Sequence, residues 1–196
     1  MKVSKAQASD NRDAIVVAAA AQIRERGFDQ MSVENVARAA GLTHGALYSH
    51  FRSKDALKAE ATRRAFEDCI RGFSGLTPSE FLERHLSTEH RDNPQKGCPT
   101  SALVSEVQRQ PLPLQIAFRD GVEGFAALAA ESLKSIGAEH DSDRALLMFA
   151  AMVGGLSISR AIREVDKSAS DNILRAITDQ IEQLIARPKK GKRRDR

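Results

Sequence analysis

The chain has 196 residues, which is enough for one helical core with a smaller domain attached, and only 5% of them are aromatic. The commonest residues include Ala, Leu, Ile, Glu, Arg and Lys, which favour helices over strands. No continuous run of about eighteen apolar residues occurs and residues 1–10 lack an apolar centre, so we expect neither a membrane span nor a secretory signal, and a cytoplasmic protein.

The net charge of +4 is unevenly distributed along the chain. Residues 1–64 hold 11 Lys and Arg against 7 Asp and Glu, residues 65–186 hold 12 against 18, and residues 187–196 hold 7 against 1. A basic first segment on an acidic body is consistent with a polyanionic partner, although such an excess is also ordinary for a solvated surface. Residues 188–196 are predicted to form a basic, disordered tail.

The first helix is predicted to begin near Asp10, because residues 1–9 are polar. Ile15, Ala19 and Ile23 follow at four-residue spacing on one face, and Gly27 is a suitable residue to end the helix.

Two short helices follow, joined by a tight turn. Ser32 is a suitable N-cap for the second helix, Gly41 allows a left-handed turn residue, and Thr43 is a suitable N-cap for the third helix. This arrangement predicts a helix-turn-helix, the motif that places its second helix in the DNA major groove. Leu47 and Phe51, four residues apart, would anchor that helix to the core.

A fourth helix is predicted from about Lys54 to Phe73, capped by Ser53. The string SVENVARAAGLTHGALYSHFRSKDAL, which extends into the start of this helix, resembles the DNA-binding region of TetR-type repressors. The resemblance covers residues 12–58. It implies an all-α fold of about nine helices, with a three-helix DNA-binding domain at residues 1–52. A larger helical domain for effector binding and dimerisation would occupy residues 53–187.

The resemblance also implies roles for individual residues. Thr43, Tyr48, His50 and Lys54 match positions that contact backbone phosphates. Three further residues match positions that face base edges, namely His44, Gly45 and Ser49. Phosphate contacts position a protein on DNA, whereas base contacts read the sequence. Because Ser49 is short, we expect DNA shape to contribute to recognition.

Helices continue through the second half of the chain. Thr77, Pro78 and Glu80 predict a capping box at the start of one helix, and the segment RDNPQKG after it is predicted to be a loop. Longer helices are expected to Gly137, from Ser142 to Val165 and from Ser170 to Ala186.

Cys98 precedes Pro99 and is predicted to be the N-cap of a helix. The positive end of a helix dipole lowers a thiol pKa, so Cys98 is a candidate reactive thiol, with a buried structural cap as the alternative. The surrounding stretch KGCPTSALVSEVQRQ also resembles TetR-type repressors that respond to electrophiles. Cys69 is predicted to be plain core, and the two cysteines have neither zinc nor disulfide-framework spacing.

In the TetR family the effector pocket lies among the middle helices. By that resemblance, the candidates to line it are Phe81, His85, Phe118, Phe125, Met148 and Met152, with ordinary core packing as the alternative for each. Because few charges occur on these faces, we expect an apolar or electrophilic small molecule.

The stretch ALLMFAAMVGGLSIS is apolar nearly all round, which is typical of a helix buried on both sides. It is predicted to be too short for a membrane span and, by the resemblance, to form a homodimer interface with the last helix. A two-fold dimer predicts a palindromic operator in double-stranded DNA.

No hydrolase triad context, phosphate-binding glycine loop or metal-ligand spacing is found, so we expect neither an enzyme nor a cofactor or metal site. The alternatives to a repressor are a nonspecific DNA-binding protein and a helical protein that sequesters a small molecule.

Overall fold

The computed structural model describes residues 4–134 and 142–186. Over this part of the chain the fold is all-α, as predicted, with ten α-helices and one short 3-10 helix at Pro94–Lys96. The α-helices are α1 (Lys5–Arg26), α2 (Val33–Ala39), α3 (His44–His50), α4 (Lys54–Phe73), α5 (Pro78–His85), α6 (Thr88–Asp92), α7 (Pro99–Val107), α8 (Leu112–Lys134), α9 (Ser142–Ile162) and α10 (Lys167–Ala186). The tail predicted at residues 188–196 lies outside the described residues.

Several boundaries differ from the predictions: α9 ends at Ile162 rather than Val165, and α10 begins at Lys167 rather than Ser170. The helix α1 begins at Lys5 rather than near Asp10, because the Ser4 side chain accepts a hydrogen bond from the Gln7 N–H at 3.1 Å and caps it. The segment predicted to be a loop contains the end of α6 and the 3-10 helix. Ser87 caps α6 by accepting from the His90 N–H at 3.0 Å, a signal that the prediction overlooked.

The predicted caps are confirmed. Ser32, Thr43 and Ser53 each accept a hydrogen bond from the N–H three residues on, at 3.3, 3.3 and 3.0 Å. At the start of α5, Thr77 and Glu80 bond reciprocally in a capping box. These caps satisfy N–H groups that helix ends leave unpaired, each worth about 1 kcal/mol.

The helix α4 connects two apolar cores. Its first half, including Leu57 and Phe66, packs with α1, α2 and α3 and with Leu103 and Phe118 from later helices. Its second half packs with α5, α8, α9 and α10. A displacement of α4 would therefore disturb both cores, since close-packed interiors transmit strain.

The helix α9 has a longer apolar segment than predicted. The segment Arg144–Ile162 has 19 residues and is long and apolar enough, by length and composition, to cross a membrane, so the prediction that it is too short was wrong. Met148, Met152 and Leu156 of this helix are buried in the second core, as a core helix of a helical bundle requires.

Candidate functional site

The turn between α2 and α3 is built around Gly41, whose φ is +71°. The Leu42 N–H donates to the Ala37 carbonyl at 2.9 Å, and the Gly41 N–H donates to the Arg38 carbonyl at 3.1 Å. This pair of bonds is the Schellman arrangement, which needs a left-handed residue at the glycine position. The predicted helix-turn-helix geometry is therefore present.

The side chains of α3 divide into a buried face and an exposed face. Leu47 and Phe51 are buried in the first core, as predicted. Tyr48, the next residue after Leu47, is 51% exposed. The candidate DNA-contacting residues that accompany it at the surface are Thr43, His44, Gly45 and Ser49, with His50 and Lys54 half-buried. The structure thus brings all seven predicted DNA-contacting residues into one short stretch.

The hydrogen bonds within α3 define what its side chains can offer a ligand. The Thr43 hydroxyl oxygen accepts from the Ala46 N–H, which leaves its O–H proton available for an outside acceptor. The Ser49 hydroxyl donates to the Ala46 carbonyl at 2.6 Å, so it presents only acceptor lone pairs outward. His44 and Tyr48 pack edge to face, with ring centroids 5.2 Å apart.

A further cation adjoins this stretch. Arg52 is exposed between α3 and α4, beside Lys54. It occupies an unassigned position of the quoted string and was not among the predicted DNA-contacting residues, although its charge is a signal for such a role. Behind it, Arg12 of α1 forms a two-bond ion pair with Glu60 of α4 and stacks over the Phe51 ring at 4.7 Å.

The predicted effector-lining residues are all buried, but they fall into two groups. Phe118 packs in the first core, edge to face with Phe66 at 5.5 Å. The others pack in the second core. They are Phe81, His85, Phe125, Met148, Met152 and Cys98. Ring centroids of Phe73, Phe81 and Phe125 lie 4.8–5.5 Å apart, the spacing of packed aromatic rings.

Cys98 is completely buried at the N-terminus of α7, and its side chain makes no capping hydrogen bond. Burial raises the pKa of its thiol, but the neighbouring Cys69 thiol and His85 imidazole outweigh burial, so its pKa lies well below the ordinary value. Cys69 itself has a raised pKa, because it donates to Cys98 and is buried. Cys69 was predicted to be plain core, and only the fold places it beside Cys98.

Two histidines adjoin this thiol pair. His90 accepts from the Cys98 N–H through Nε2 at 2.7 Å and lies 2.8 Å from the His85 carbonyl through Nδ1. These contacts require a neutral ring with its proton on Nδ1. Burial, reinforced by His85, lowers the pKa of His90 to about 3. Neither ring nitrogen of His85 makes a hydrogen bond of ordinary geometry, although the imidazole lies close enough to Cys98 to lower the thiol pKa.

An open groove of about 680 Å³ runs past Cys69 between α4, α5 and α6. Its wall includes Phe73 and His90, so the groove reaches the back of the thiol pair. Within residues 4–134 and 142–186, no cluster of three or more His, Cys, Asp or Glu side chains is arranged to hold a metal ion.

Comparison with known proteins agrees with this geometry. The sequence model of the bacterial regulatory proteins, tetR family, matches residues 15–67. The transcriptional repressor BepR of Brucella suis is 43% identical over 54 residues, which are 28% of this chain and 26% of BepR. The repressor KstR2 of Rhodococcus jostii is 32% identical over 87 residues, which are 42% of this chain and 43% of KstR2. The matches thus span less than half of these relatives.

Solved structures agree over nearly the whole chain. Reduced NemR of Escherichia coli superimposes with a TM-score of 0.74 at 20% identity, covering 91% of this chain and 98% of NemR. A TetR-family regulator from Cytophaga hutchinsonii superimposes with a TM-score of 0.71 at 20% identity, covering 93% and 98%. At this identity the likeness concerns the fold. Residues 15–67, which contain the helix-turn-helix, therefore match the tetR family of bacterial regulatory proteins, and the chain shares the fold of TetR-family regulators.

Proposed function

We propose that this protein is a DNA-binding transcriptional regulator, most simply a repressor, that acts in the cytoplasm. The observation that carries the proposal is the exposed face of α3, where hydroxyl, imidazole and phenol groups project from a helix anchored by Leu47 and Phe51. The repressor names of BepR and KstR2 support it. The α3 helix would enter the major groove, with Thr43, Tyr48, His50 and Lys54 on phosphates and His44, Gly45 and Ser49 facing bases.

The proposed DNA-binding form is a homodimer joined through α9 and α10. Leu147, Ala151, Gly154 and Ile158 lie on one face of α9 at helical spacing, and Leu147 and Ile158 are 58% and 54% exposed. No atom from elsewhere in the fold lies within 4 Å of a Cβ built on Gly154, so this face is open to a second helix. A two-fold dimer would present two α3 helices to a palindromic operator.

We propose that an effector acts on the second core and moves α4. Two sources of response are compatible with the geometry: modification of the Cys98 thiol, and binding of an apolar small molecule among the aromatic residues around Phe81 and Phe125. Both would act through α4, which carries Cys69 in the second core and Lys54 beside α3. In this scheme residues 1–52 form the DNA-binding domain and residues 53–187 the effector and dimerisation domain.

The test of the proposal is selection of bound fragments from random duplex DNA, followed by footprinting of the selected site. A repressor protects one palindrome, whereas a nonspecific DNA-binding protein protects every sequence and a small-molecule-sequestering protein protects none. Footprints spread over all fragments, or no footprint at low salt, would contradict a dedicated operator.

Lys54→Ala and Tyr48→Ala test the phosphate contacts. Each is expected to weaken binding to every sequence, by about tenfold at low salt for Lys54→Ala, and Lys54→Ala should reduce the salt slope by about one. Lys167→Ala, which removes an exposed cation of α10, is the matched control and should leave affinity unchanged. His44→Ala should instead alter the preferred sequence, and an equal loss on all sequences would contradict base reading by His44.

A further inference from the structure

A pocket that neither the DNA-facing surface nor the thiol pair uses opens between α1, α6, α7 and α9. Its volume is about 530 Å³, within the range of small-molecule sites. Four arginines contribute to its wall, namely Arg24, Arg91, Arg160 and Arg163. Ser101 and Ala102, near the N-terminus of α7, form another part of the wall, so the positive end of that helix adds to the potential.

Two of these arginines already have counter-charges. Arg91 donates to Asp92 at 2.8 Å and to Asp171 at 2.5 Å. Arg163 donates to Asp92 at 3.0 Å and also pairs with Glu164. The remaining acidic residue of the wall, Glu25, pairs with its neighbour Arg26 at 3.3 Å. Every carboxylate of the pocket is therefore engaged by another partner.

Arg24 and Arg160 have no direct ion pair and feel only the more distant carboxylates of Asp68 and Asp92, respectively. Arg24 is only 7% exposed, donates through Nη1 to the Ala65 carbonyl at 3.3 Å, and its buried Nε has no partner. Arg160 donates to the carbonyls of Arg91 and His90 at 3.2 and 2.8 Å, and its buried Nη1 has no partner. In the described part of the chain neither guanidinium forms an ion pair. Burial lowers the pKa of both.

Arg24 is buried and Arg160 is half-buried, and a guanidinium withdrawn from water without a direct ion-pair partner is costly, because its lost hydration is not replaced. Two of them at one pocket, each with an unused N–H, would be satisfied together by an anion with several acceptor oxygens. Guanidinium groups bind carboxylates and phosphates through just such charge-assisted hydrogen bonds. The same wall offers no large apolar side chain to hold an uncharged ligand.

We propose that this pocket binds a small molecule through a phosphate or carboxylate group held by Arg24 and Arg160. The site is separate from the effector positions proposed above. Anion binding to it does not require DNA binding, so its test is independent of the proposed regulatory function.

The test is calorimetric titration of the purified full chain with sodium phosphate and, separately, with sodium acetate, in chloride buffer at constant ionic strength. Saturable one-to-one binding of phosphate without acetate identifies a phosphate site, and the reverse identifies a carboxylate site. If neither anion gives heat or a rise in Tm beyond that of chloride, the proposal is wrong.

Variants locate the binding. Arg24→Met is expected to weaken the observed anion binding by about tenfold or more, the range for a lost hydrogen bond to a charged group. Arg163→Gln, on the same wall but already paired, is the matched control and should change affinity by less than about threefold, as for an exposed ion pair. An equal loss in both variants would place the anion elsewhere.

Arg160→Met provides a second, independent variant with the same expected loss. Folding is checked by urea unfolding in chloride buffer. Because methionine keeps the unbranched apolar stem of the side chain and removes the charge, while also removing hydrogen bonds to backbone carbonyls, each variant should still unfold in a single cooperative urea transition. Anion binding that survives in both Arg24→Met and Arg160→Met would overturn the assignment.

Discussion

At the scale of single residues, the side chains of α3 divide by burial according to helical spacing. Leu47 and Phe51 are four residues apart and lie in the core, whereas Tyr48 lies outside. This division follows from the 3.6-residue period, which turns adjacent residues by about 100° around the helix axis. The pattern alone was therefore enough to predict which side of α3 is exposed.

His90 predicts a pH dependence of stability. Its pKa is about 3 in the folded protein against an ordinary 6.5, so between these values the unfolded chain binds the extra proton. Stability should therefore fall as pH drops below about 6.5, by as much as about 2 kcal/mol at pH 5. Urea unfolding at pH 7 and pH 5 measures the change.

His90→Gln should remove most of this dependence, because glutamine can still accept from the Cys98 N–H without titrating near neutral pH. His44→Gln, at an exposed position, is the control and should retain the dependence. A pH dependence that is the same in both variants would show that His90 is not its source.

Cys98 predicts a thiol-dependent response. The Cys98 thiolate would add to the double bond of N-ethylmaleimide, with the adjacent carbon taking a proton, and the added bulk in the core should release DNA. Because Cys98 is completely buried, the reaction must await local opening and should be at least about tenfold slower than that of free cysteine. DNA affinity and alkylation are both measured over time.

Cys98→Ser should abolish the release, whereas Cys69→Ser should retain it. Cys69 is the stringent control, since it borders the open groove and lies against Cys98. If Cys69→Ser is the variant that loses the response, the sensing thiol is Cys69 and the assignment of Cys98 is incorrect.

At the scale of helices, α4 is the element on which the proposed switch depends, and it is held by close packing against α8. A Cβ added at Gly121 of α8 would lie 2.1 Å from the Phe66 ring of α4, closer than real contacts allow. The two helices can approach this closely only because residue 121 has no side chain.

Gly121→Ala should therefore destabilise the fold by about 1–3 kcal/mol, the usual cost of overpacking, despite the higher helix propensity of alanine. Gly124→Ala on the same helix is the matched control. Its added Cβ meets only the flexible tip of Ile70 at 3.1 Å, so the loss should be smaller. Urea unfolding of both variants measures the difference, and equal stabilities would mean that α4 and α8 do not depend on this contact.

At the scale of the whole molecule, the exposed stripe of α9 predicts the oligomeric state. Leu147→Glu would place a charge in the centre of the proposed dimer interface, and the dimer dissociation constant should rise by about a hundredfold or more. Light scattering after size exclusion measures the mass. Leu112→Glu, at a residue 67% exposed on α8, is the control and should leave the mass unchanged.

A wild-type chain that is monomeric at micromolar concentration would contradict the dimer. It would also remove the reason to expect a palindromic operator, because a two-fold operator mirrors a two-fold protein.

Local signals predicted most of the secondary structure. The caps at Ser32, Thr43 and Ser53 act within three residues, so neighbouring residues are sufficient to place them. The caps at Ser4 and Ser87 were not predicted, although each also acts on an N–H only three residues away and could have been found from the sequence. The apolar length of α9 was underestimated because the quoted stretch stops at residue 159, before Arg160, whereas the apolar helix continues to Ile162.

The sequence by itself determined the helical fold, the helix-turn-helix and the face of α3 that is exposed, since periodicity and capping depend on residues a few positions apart. Only the tertiary structure decided that Cys69 lies beside Cys98 and that Arg24 and Arg160 share one pocket. The members of each pair are 29 and 136 positions apart in the chain, and their proximity depends on how α1, α4, α7 and α9 pack. Packing is a property of all the side chains together, so no local pattern records it.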